Sequence, residues 1–307
     1  MKPPGMEQNT LTRQSIIMAL TEEGGVGPKM FQHLLMHLGP PEELHIATAS
    51  DFQELPRINA ERAARILSSL DRADEYMGKI IDYAADDIFI SSILDDDYPK
   101  LLRVIDDPPP LIYYRGDCDI LDRDFIAMAG TTKATQSGLR LTVDLSRALI
   151  KRGYGIISGL ASGIDSAAHL GALKEKGATI AVLGSGIMEI YPEENVALAE
   201  LIGKSGLLLS EHPPFKMVSK SSLVLRNRII SAMSRAVIVV QLSAETRGEL
   251  HTAAYACRQA KPLYYGDPDD NFDFERVKDW PGSIVRSVDA VDEILSYIVP
   301  ERDYVDS

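Results

Sequence analysis

The chain has 307 residues, of which 45% are hydrophobic and 25% charged, so it is long enough for one large or two average globular domains. No apolar run is long enough for a signal peptide or a membrane span, and the two cysteines form neither a CxxC pair nor a set of metal ligands. This composition predicts a cytoplasmic protein with reduced thiols and no membrane contact.

The net charge of −13 argues against a nucleic-acid partner, but the charges are unevenly distributed along the chain. Residues 1–124 carry 12 Lys and Arg against 23 Asp and Glu, a net charge of −11. Residues 125–266 carry 16 against 10, a net charge of +6, and residues 267–307 carry 4 against 12, a net charge of −8. A basic middle between acidic ends is typical of a protein that binds phosphate groups on one face.

Two hairpin-like turns between predicted helices mark the N-terminal part. Residues 24–28 (GGVGP) form the first, and residues 55–59 form a weaker copy that leads into a helix predicted over residues 60–85. Helix-hairpin-helix turns of this kind can bind a DNA backbone through their N–H groups. Because the region is acidic and only Lys29 and Arg57 lie near the two turns, we interpret it as a packing module instead.

Strands and helices alternate regularly from Phe125 onwards. The predicted strands cover residues 125–129, 156–159, 179–183, 207–209 and 236–240, and helices follow near residue 137, after Gly163, and at residues 193, 226 and 248. This order predicts an α/β fold with a doubly wound, mostly parallel sheet. We place a helical domain at residues 1–85, the α/β domain at 86–266 and an acidic C-terminal tail at 267–307.

Several motifs that would indicate an enzyme or a cofactor site are missing. Gly184-Ser185-Gly186 lacks the third glycine of a dinucleotide-binding turn, and the chain has no Walker A sequence and no nucleophile elbow. The six histidines are not spaced as metal ligands, and His169, which lies among alanines, is interpreted as a core histidine. The sequence therefore predicts no catalytic residue, no metal ligand and no cofactor.

Polar turns follow four of the predicted strands. They are Gly130-Thr131, Ser158-Gly159, Gly184-Ser185 and Ser210-Glu211. In an open parallel sheet these turns meet at one edge, where ligands bind. Gly159 and Gly163 let the backbone approach a ligand closely, and the helix that begins after Gly163 offers N–H groups to an anion.

The pair Arg226 and Arg228, which flank Asn227, adds two guanidinium groups near this edge. Each could contact phosphate in a bidentate manner. Alternatively, the two arginines could pair with Glu193, Glu194 or Glu211. The sequence leaves both possibilities open.

Four motifs in this order resemble those of the DprA/Smf family of DNA-processing proteins. They are SGLASGIDSAAH, TIAVLGSGIMEIYPEEN, LLSEHPP and RNRIISAMSRAVIVV. The resemblance implies an extended Rossmann-like domain behind a small all-α helix-hairpin-helix (SAM-like) domain. It also implies single-stranded DNA binding, protection of incoming DNA, dimerisation and loading of a RecA-type recombinase during natural transformation, without enzymatic turnover.

The strand-end turns, the arginine pair and the family resemblance together predict nine residues that bind DNA or phosphate. They are Gly130, Thr131, Lys133, Ser158, Gly159, Gly163, Arg226, Asn227 and Arg228. Thr132 stands where the family has an arginine, Leu223-Val224 replace a Phe-Pro pair, and Arg247-Gly248-Glu249 replaces a serine-glycine-serine turn. The family's C-terminal winged-helix domain is not expected, because only residues 267–307 remain.

Two rival functions stay open beside this resemblance. Rossmann-like enzymes that cleave nucleoside monophosphates need a PGGxGT-type turn with a following glutamate near residue 247, and Arg247-Gly248-Glu249 does not provide it. A nucleotide-sensing protein of a defence system is compatible with the altered turns.

Overall fold

The computed structural model describes residues 8–242, 248–270 and 272–298, and the chain divides into two compact units between Tyr114 and Arg115. We call these the N-terminal unit and the C-terminal unit. Among the described residues, no helix combines the length and the apolar character that a bilayer crossing requires. Each unit has its own buried core.

The N-terminal unit is built mainly from helices. Its elements are α1 (Gln8–Glu22), α2 (Pro28–Leu38), α3 (Ala49–Gln53), α4 (Ala60–Leu70), α5 (Ala73–Ala85), β1 (Phe89–Ser92), α6 (Lys100–Arg103) and β2 (Leu111–Gly116). Pro28 stands at the start of α2, as its fixed φ favours. The Asn59 side chain accepts a hydrogen bond of 2.9 Å from the Arg62 N–H and so caps α4. Strands β1 and β2 pair antiparallel.

The helix expected over residues 60–85 is interrupted. Asp71 and Arg72 form a turn between α4 and α5. The Arg72 guanidinium donates to Glu23, the residue after α1, at 2.6 Å and to Glu75 of α5 at 2.7 Å. Ile66 is buried on α4 and Tyr76 on α5, and hydrophobic periodicity alone does not reveal the turn between the two helices.

The C-terminal unit alternates strands and helices. Its elements are β3 (Phe125–Gly130), α7 (Gln136–Lys151), β4 (Gly155–Ser158), α8 (Ile164–Lys174), β5 (Thr179–Leu183), α9 (Val196–Ser205), β6 (Leu207–Ser210), α10 (Lys220–Leu225), α11 (Asn227–Ala232), β7 (Ala236–Val240), α12 (Gly248–Arg258), β8 (Leu263–Gly266), β9 (Ser283–Val285) and α13 (Val291–Ser296).

These strands form a parallel sheet in the order β6-β5-β4-β3-β7-β8-β9. The strand order runs outwards in one direction from β3 to β6 and in the other from β7 to β9. The topological switch point therefore lies between β3 and β7, where Ile126 is opposite Ala236. The prediction of an α/β fold with a doubly wound, mostly parallel sheet behind a helical region is confirmed.

Two segments of the C-terminal unit differ from the predicted elements. Residues 220–225, which precede the helix predicted at residue 226, form the additional helix α10, which the Ser219 side chain caps. Residues 283–298 contribute β9 and α13, and Val285 and Ile294 are buried in the core of the unit. Their apolar positions are few and stand among acidic residues, so the composition of residues 267–307 conceals them.

Candidate nucleic-acid interface

The polar turns after β3, β4, β5 and β6 lie along one edge of the sheet, because these strands are parallel neighbours. The Ile164 N–H after the β4 turn donates to the Thr131 carbonyl oxygen after β3 at 3.3 Å. The Ser210 hydroxyl at the end of β6 donates to the Ser185 carbonyl oxygen after β5 at 2.6 Å. The structure thus brings the predicted turns together, with Thr131 and Lys133 beside the switch point.

Backbone N–H groups of the loop between β4 and α8 bind a carboxylate of the protein itself. The buried Asp165 carboxylate accepts hydrogen bonds from the Gly159 N–H at 3.2 Å and the Ala161 N–H at 3.3 Å. Burial raises the pKa of Asp165, while the nearby Arg226 charge and these N–H donors lower it. The backbone donor at Gly159, predicted to serve a ligand, is therefore used to shape the loop.

Packing explains the two glycines that the sequence analysis selected. Gly163 has a φ of 74°, and a Cβ there would meet the carbonyl oxygens of Thr131 and Thr132. A Cβ at Gly159 would collide with the guanidinium of Arg226. Both glycines therefore allow parts of the protein itself to approach closely.

Arg226 is buried, with 6% of its surface exposed. Its Nη1 donates to the carbonyl oxygens of Gly159 and Val182, and its Nε donates to Asn227 Oδ1 at 2.9 Å. The Asp165 carboxylate lies 3.8 Å from its Nη2. Arg226 therefore joins the ends of β4 and β5 from inside the unit.

Arg228 forms a buried, bidentate ion pair with Glu211. Nη1 and Nη2 lie 2.8 Å and 2.7 Å from the two carboxylate oxygens, and only 1% of the Arg228 side chain is exposed. This is one of the carboxylate partners that the sequence left open, although the pair lies in the interior and not on the surface. Direct phosphate contact by Arg226, Asn227 and Arg228 stays a prediction, and the geometry gives all three interior partners.

Exposed cationic side chains lie on the turns themselves. Lys133 follows β3, and Lys216 and Lys220 lie in and after the loop that follows β6. The Lys216 carbonyl oxygen accepts from the Gly186 N–H at 2.8 Å, which fixes this loop to the turn after β5. Beside Lys216, Phe215 is 59% exposed. Phe215 is not among the site residues predicted from the sequence, although its position as an aromatic residue within a basic segment was a visible signal.

Of the Arg247-Gly248-Glu249 turn, the structure describes only Gly248 and Glu249. Arg247 lies outside the described residues, and Glu249, on the first turn of α12, is buried. Gln241, at the end of β7, accepts a hydrogen bond from the Thr135 N–H at 3.0 Å and so ties this side of the switch point to the turn after β3.

His169 is a core residue, in agreement with its interpretation from the sequence. Its ring is fully buried, and Nδ1 lies 2.8 Å from Thr179 Oγ1. Since Thr179 Oγ1 donates to the Ile156 carbonyl oxygen at 3.0 Å, Nδ1 carries the proton and donates to Thr179. Burial, with a smaller contribution from the Arg226 charge, lowers the pKa of His169 to about 3.

We expect His169 to reduce stability in mildly acidic solution. An unfolded chain protonates this histidine near pH 6.5, whereas the folded chain keeps it neutral down to about pH 3, so stability falls as the pH falls between these values. Compared with His169→Gln, the unchanged chain should lose about 2 kcal/mol more unfolding free energy between roughly pH 7.5 and pH 5. Urea unfolding at both pH values measures this difference. Equal losses in the two proteins would contradict it.

Comparisons with known proteins agree on one family. The family model described as DNA recombination-mediator protein A matches residues 89–284. The chain is 34% identical over 249 residues to Protein Smf of Synechocystis, covering 80% of this chain and 62% of that protein. It is 41% identical over 168 residues to the DNA processing protein DprA of Bacillus subtilis, covering 54% of this chain and 56% of that protein. The chain thus spans about three fifths of the length of these relatives.

Solved structures show the same relationship. DprA from Streptococcus pneumoniae matches with a TM-score of 0.79 and 26% identity, covering 95% of this chain and 99% of that one. DprA from Helicobacter pylori, whose structure describes a single-stranded DNA binding mode, matches with a TM-score of 0.60 and 29% identity, covering 68% of this chain and 97% of that one.

Proposed function

The chain belongs to the DNA recombination-mediator protein A family, and from this premise we propose that it binds single-stranded DNA at the edge formed by the turns after β3 to β6. The H. pylori relative, which binds single-stranded DNA, supports the choice of ligand. No enzymatic turnover is part of the proposal.

The exposed cations along this edge carry the proposal. Lys133 lies at the end of β3, and Lys216 lies on the loop that follows β6, three strands away. Neighbouring strands are about 4.8 Å apart, so the two strand ends are separated by roughly 14 Å along one edge. A row of ammonium groups over this length suits a phosphate backbone, and the exposed Phe215 ring offers a face on which a base can stack.

We assign the buried arginines a supporting role in this site. Arg226 joins the β4 and β5 turns, and Arg228 is paired with Glu211 next to the loop that carries Lys216. Removing a buried guanidinium would move the turns that position the exposed lysines. In the proposed function, phosphate contact therefore falls mainly on the lysines and is directed by the arginines.

The wider role that the family suggests is also a proposal. We propose that the protein forms a homodimer, protects single-stranded DNA and delivers it to a RecA-type recombinase during natural transformation. The membership in the family and the names of the DNA-processing relatives support this role.

We expect the protein to prefer single-stranded to double-stranded DNA with little dependence on sequence. The proposed ligands are ammonium groups and an aromatic face, which contact phosphate and stack with any base but do not distinguish base edges. Fluorescence anisotropy with labelled oligo-dT, competed by unlabelled single strand, duplex or mononucleotide, measures this preference. Equal or tighter binding of duplex would contradict the proposal, and competition by mononucleotide alone would favour a nucleotide-binding protein.

A further inference from the structure

A cleft in the N-terminal unit collects three arginines. It has a volume of about 720 Å³ and lies where the second hairpin turn meets α4. Its lining consists of Gln53, Leu55, Arg57, Ile58, Asn59, Glu61, Arg62 and Arg65. One carboxylate therefore faces three guanidinium groups.

These three arginines differ from Arg13 and Arg72 of the same unit in their partners. Within the described part of the chain, Arg57, Arg62 and Arg65 form no ion pair. Of the remaining arginines of the unit, Arg13 pairs with Glu42 at 2.7 Å and Arg72 with Glu23 at 2.6 Å, whereas Arg103 donates to the Asp95 carbonyl oxygen at 2.5 Å. Carboxylates are plentiful in residues 1–124, so three guanidinium groups around one cleft that have no carboxylate partner among the described residues indicate a site for an external anion.

The two hairpin turns hold this cluster in place. Arg62 donates to the Gly25 carbonyl oxygen in the first turn at 3.1 Å and to the Arg57 carbonyl oxygen in the second at 3.3 Å. The Arg65 side chain lies over Gly25, where a Cβ would be 2.6 Å from its Nη2. The Arg62 Nε is buried and has no hydrogen-bond partner among the described residues. The cluster is therefore preorganised with donor groups left over.

We propose that this cleft binds a phosphate group, as part of a nucleic-acid backbone or of a smaller phosphorylated ligand. Guanidinium groups donate two parallel hydrogen bonds to phosphate, and the α4 N-terminus adds its dipole. The cleft belongs to the N-terminal unit and the edge of the parallel sheet to the C-terminal unit, so the proposal rests on the proposed function and extends it to a second unit. The proposal adds a ligand site to the hairpins, which the sequence analysis interprets as a packing module, because Arg62 and Arg65 join Arg57 at the second turn.

The double variant Arg57→Ala and Arg65→Ala in the full chain tests the site, and Arg62 is kept because it bonds both turns. Each phosphate contact of a single strand contributes about 0.7 to the magnitude of the slope of log K against log salt. For oligo-dT binding, the magnitude of this slope should therefore fall by about 1.4 in the double variant. The control, Lys79→Ala with Lys100→Ala, removes the same charge from the same unit outside the cleft and should keep the slope. In parallel, pyrophosphate should protect Arg57 and Arg65 of the unchanged chain from phenylglyoxal, as mass spectrometry records.

The outcomes separate this site from the proposed function. Oligo-dT binding with an unchanged slope in the double variant, and no protection by pyrophosphate, would overturn the cleft site while the sheet-edge proposal survives. Protection by pyrophosphate in a chain that does not bind oligo-dT would support the cleft as a site for small phosphorylated ligands and overturn the sheet-edge proposal. A lowered slope with protection supports a backbone-binding cleft.

Discussion

We expect Arg228→Ala to lower the free energy of unfolding by about 3–5 kcal/mol. The substitution leaves the Glu211 carboxylate, whose side chain is 9% exposed, without its bidentate partner. A buried charge that loses its partner keeps the cost of desolvation without the attraction that offset it. Urea unfolding near neutral pH, followed by circular dichroism, measures the loss.

Two control variants separate burial from charge. Arg152→Ala removes an exposed bidentate pair with Asp292, at 2.6 Å and 2.9 Å, and should cost less than about 1 kcal/mol. Arg228→Met combined with Glu211→Leu removes both buried charges together and should be nearly neutral in stability. If Arg228→Ala is no more destabilising than Arg152→Ala and instead lowers the salt dependence of DNA binding, Arg228 contacts phosphate directly.

The arginine pair shows where sequence reasoning reaches its limit. The spacing of Arg226 and Arg228 at a helix start was visible, and so was Glu211 as a possible partner. Whether a guanidinium points outwards or into the core depends on how α10 and α11 pack over the strand ends, which is a tertiary property. An arginine pair that is exposed at a helix start and one that is buried against strand ends have the same sequence pattern.

The parallel sheet could be predicted because its strands are short, mostly apolar and largely separated by helical segments. The 179–183 and 236–240 strands match the observed β5 and β7 at both ends. The hydrogen bond from the Gly159 N–H to Asp165 could not be predicted. A carboxylate on the first turn of a helix is favoured by the helix dipole whether or not it also accepts a hydrogen bond from the preceding loop.

The arginine cleft could be predicted from the sequence only in part. Arg62 and Arg65 are three residues apart on α4 and therefore share a helix face, a signal that the sequence contains. Their approach to Gly25, 37 residues before Arg62, requires the fold. Net charge over residues 1–124 concealed this local concentration of positive charge.

The triple variant Lys133→Ala, Lys216→Ala and Lys220→Ala should bind single-stranded DNA much more weakly and with less dependence on salt. Three lost phosphate contacts at about 0.7 each remove about 2.1 from the slope of log K against log salt. Between 50 mM and 200 mM salt, the affinity of the triple variant should therefore fall about 20-fold less than that of the unchanged chain. Stability should change little, because all three side chains are exposed.

A matched control removes three lysines from the opposite edge of the same sheet. Lys151, Lys174 and Lys204 lie in the last turns of α7, α8 and α9, at the end of each helix that is remote from the turns after the strands. Their replacement by alanine lowers the net charge equally, so any loss it causes measures long-range attraction alone. Equal slopes for the two triple variants would show that the turns after β3 to β6 do not hold the DNA backbone, whereas a loss confined to the first places the backbone there.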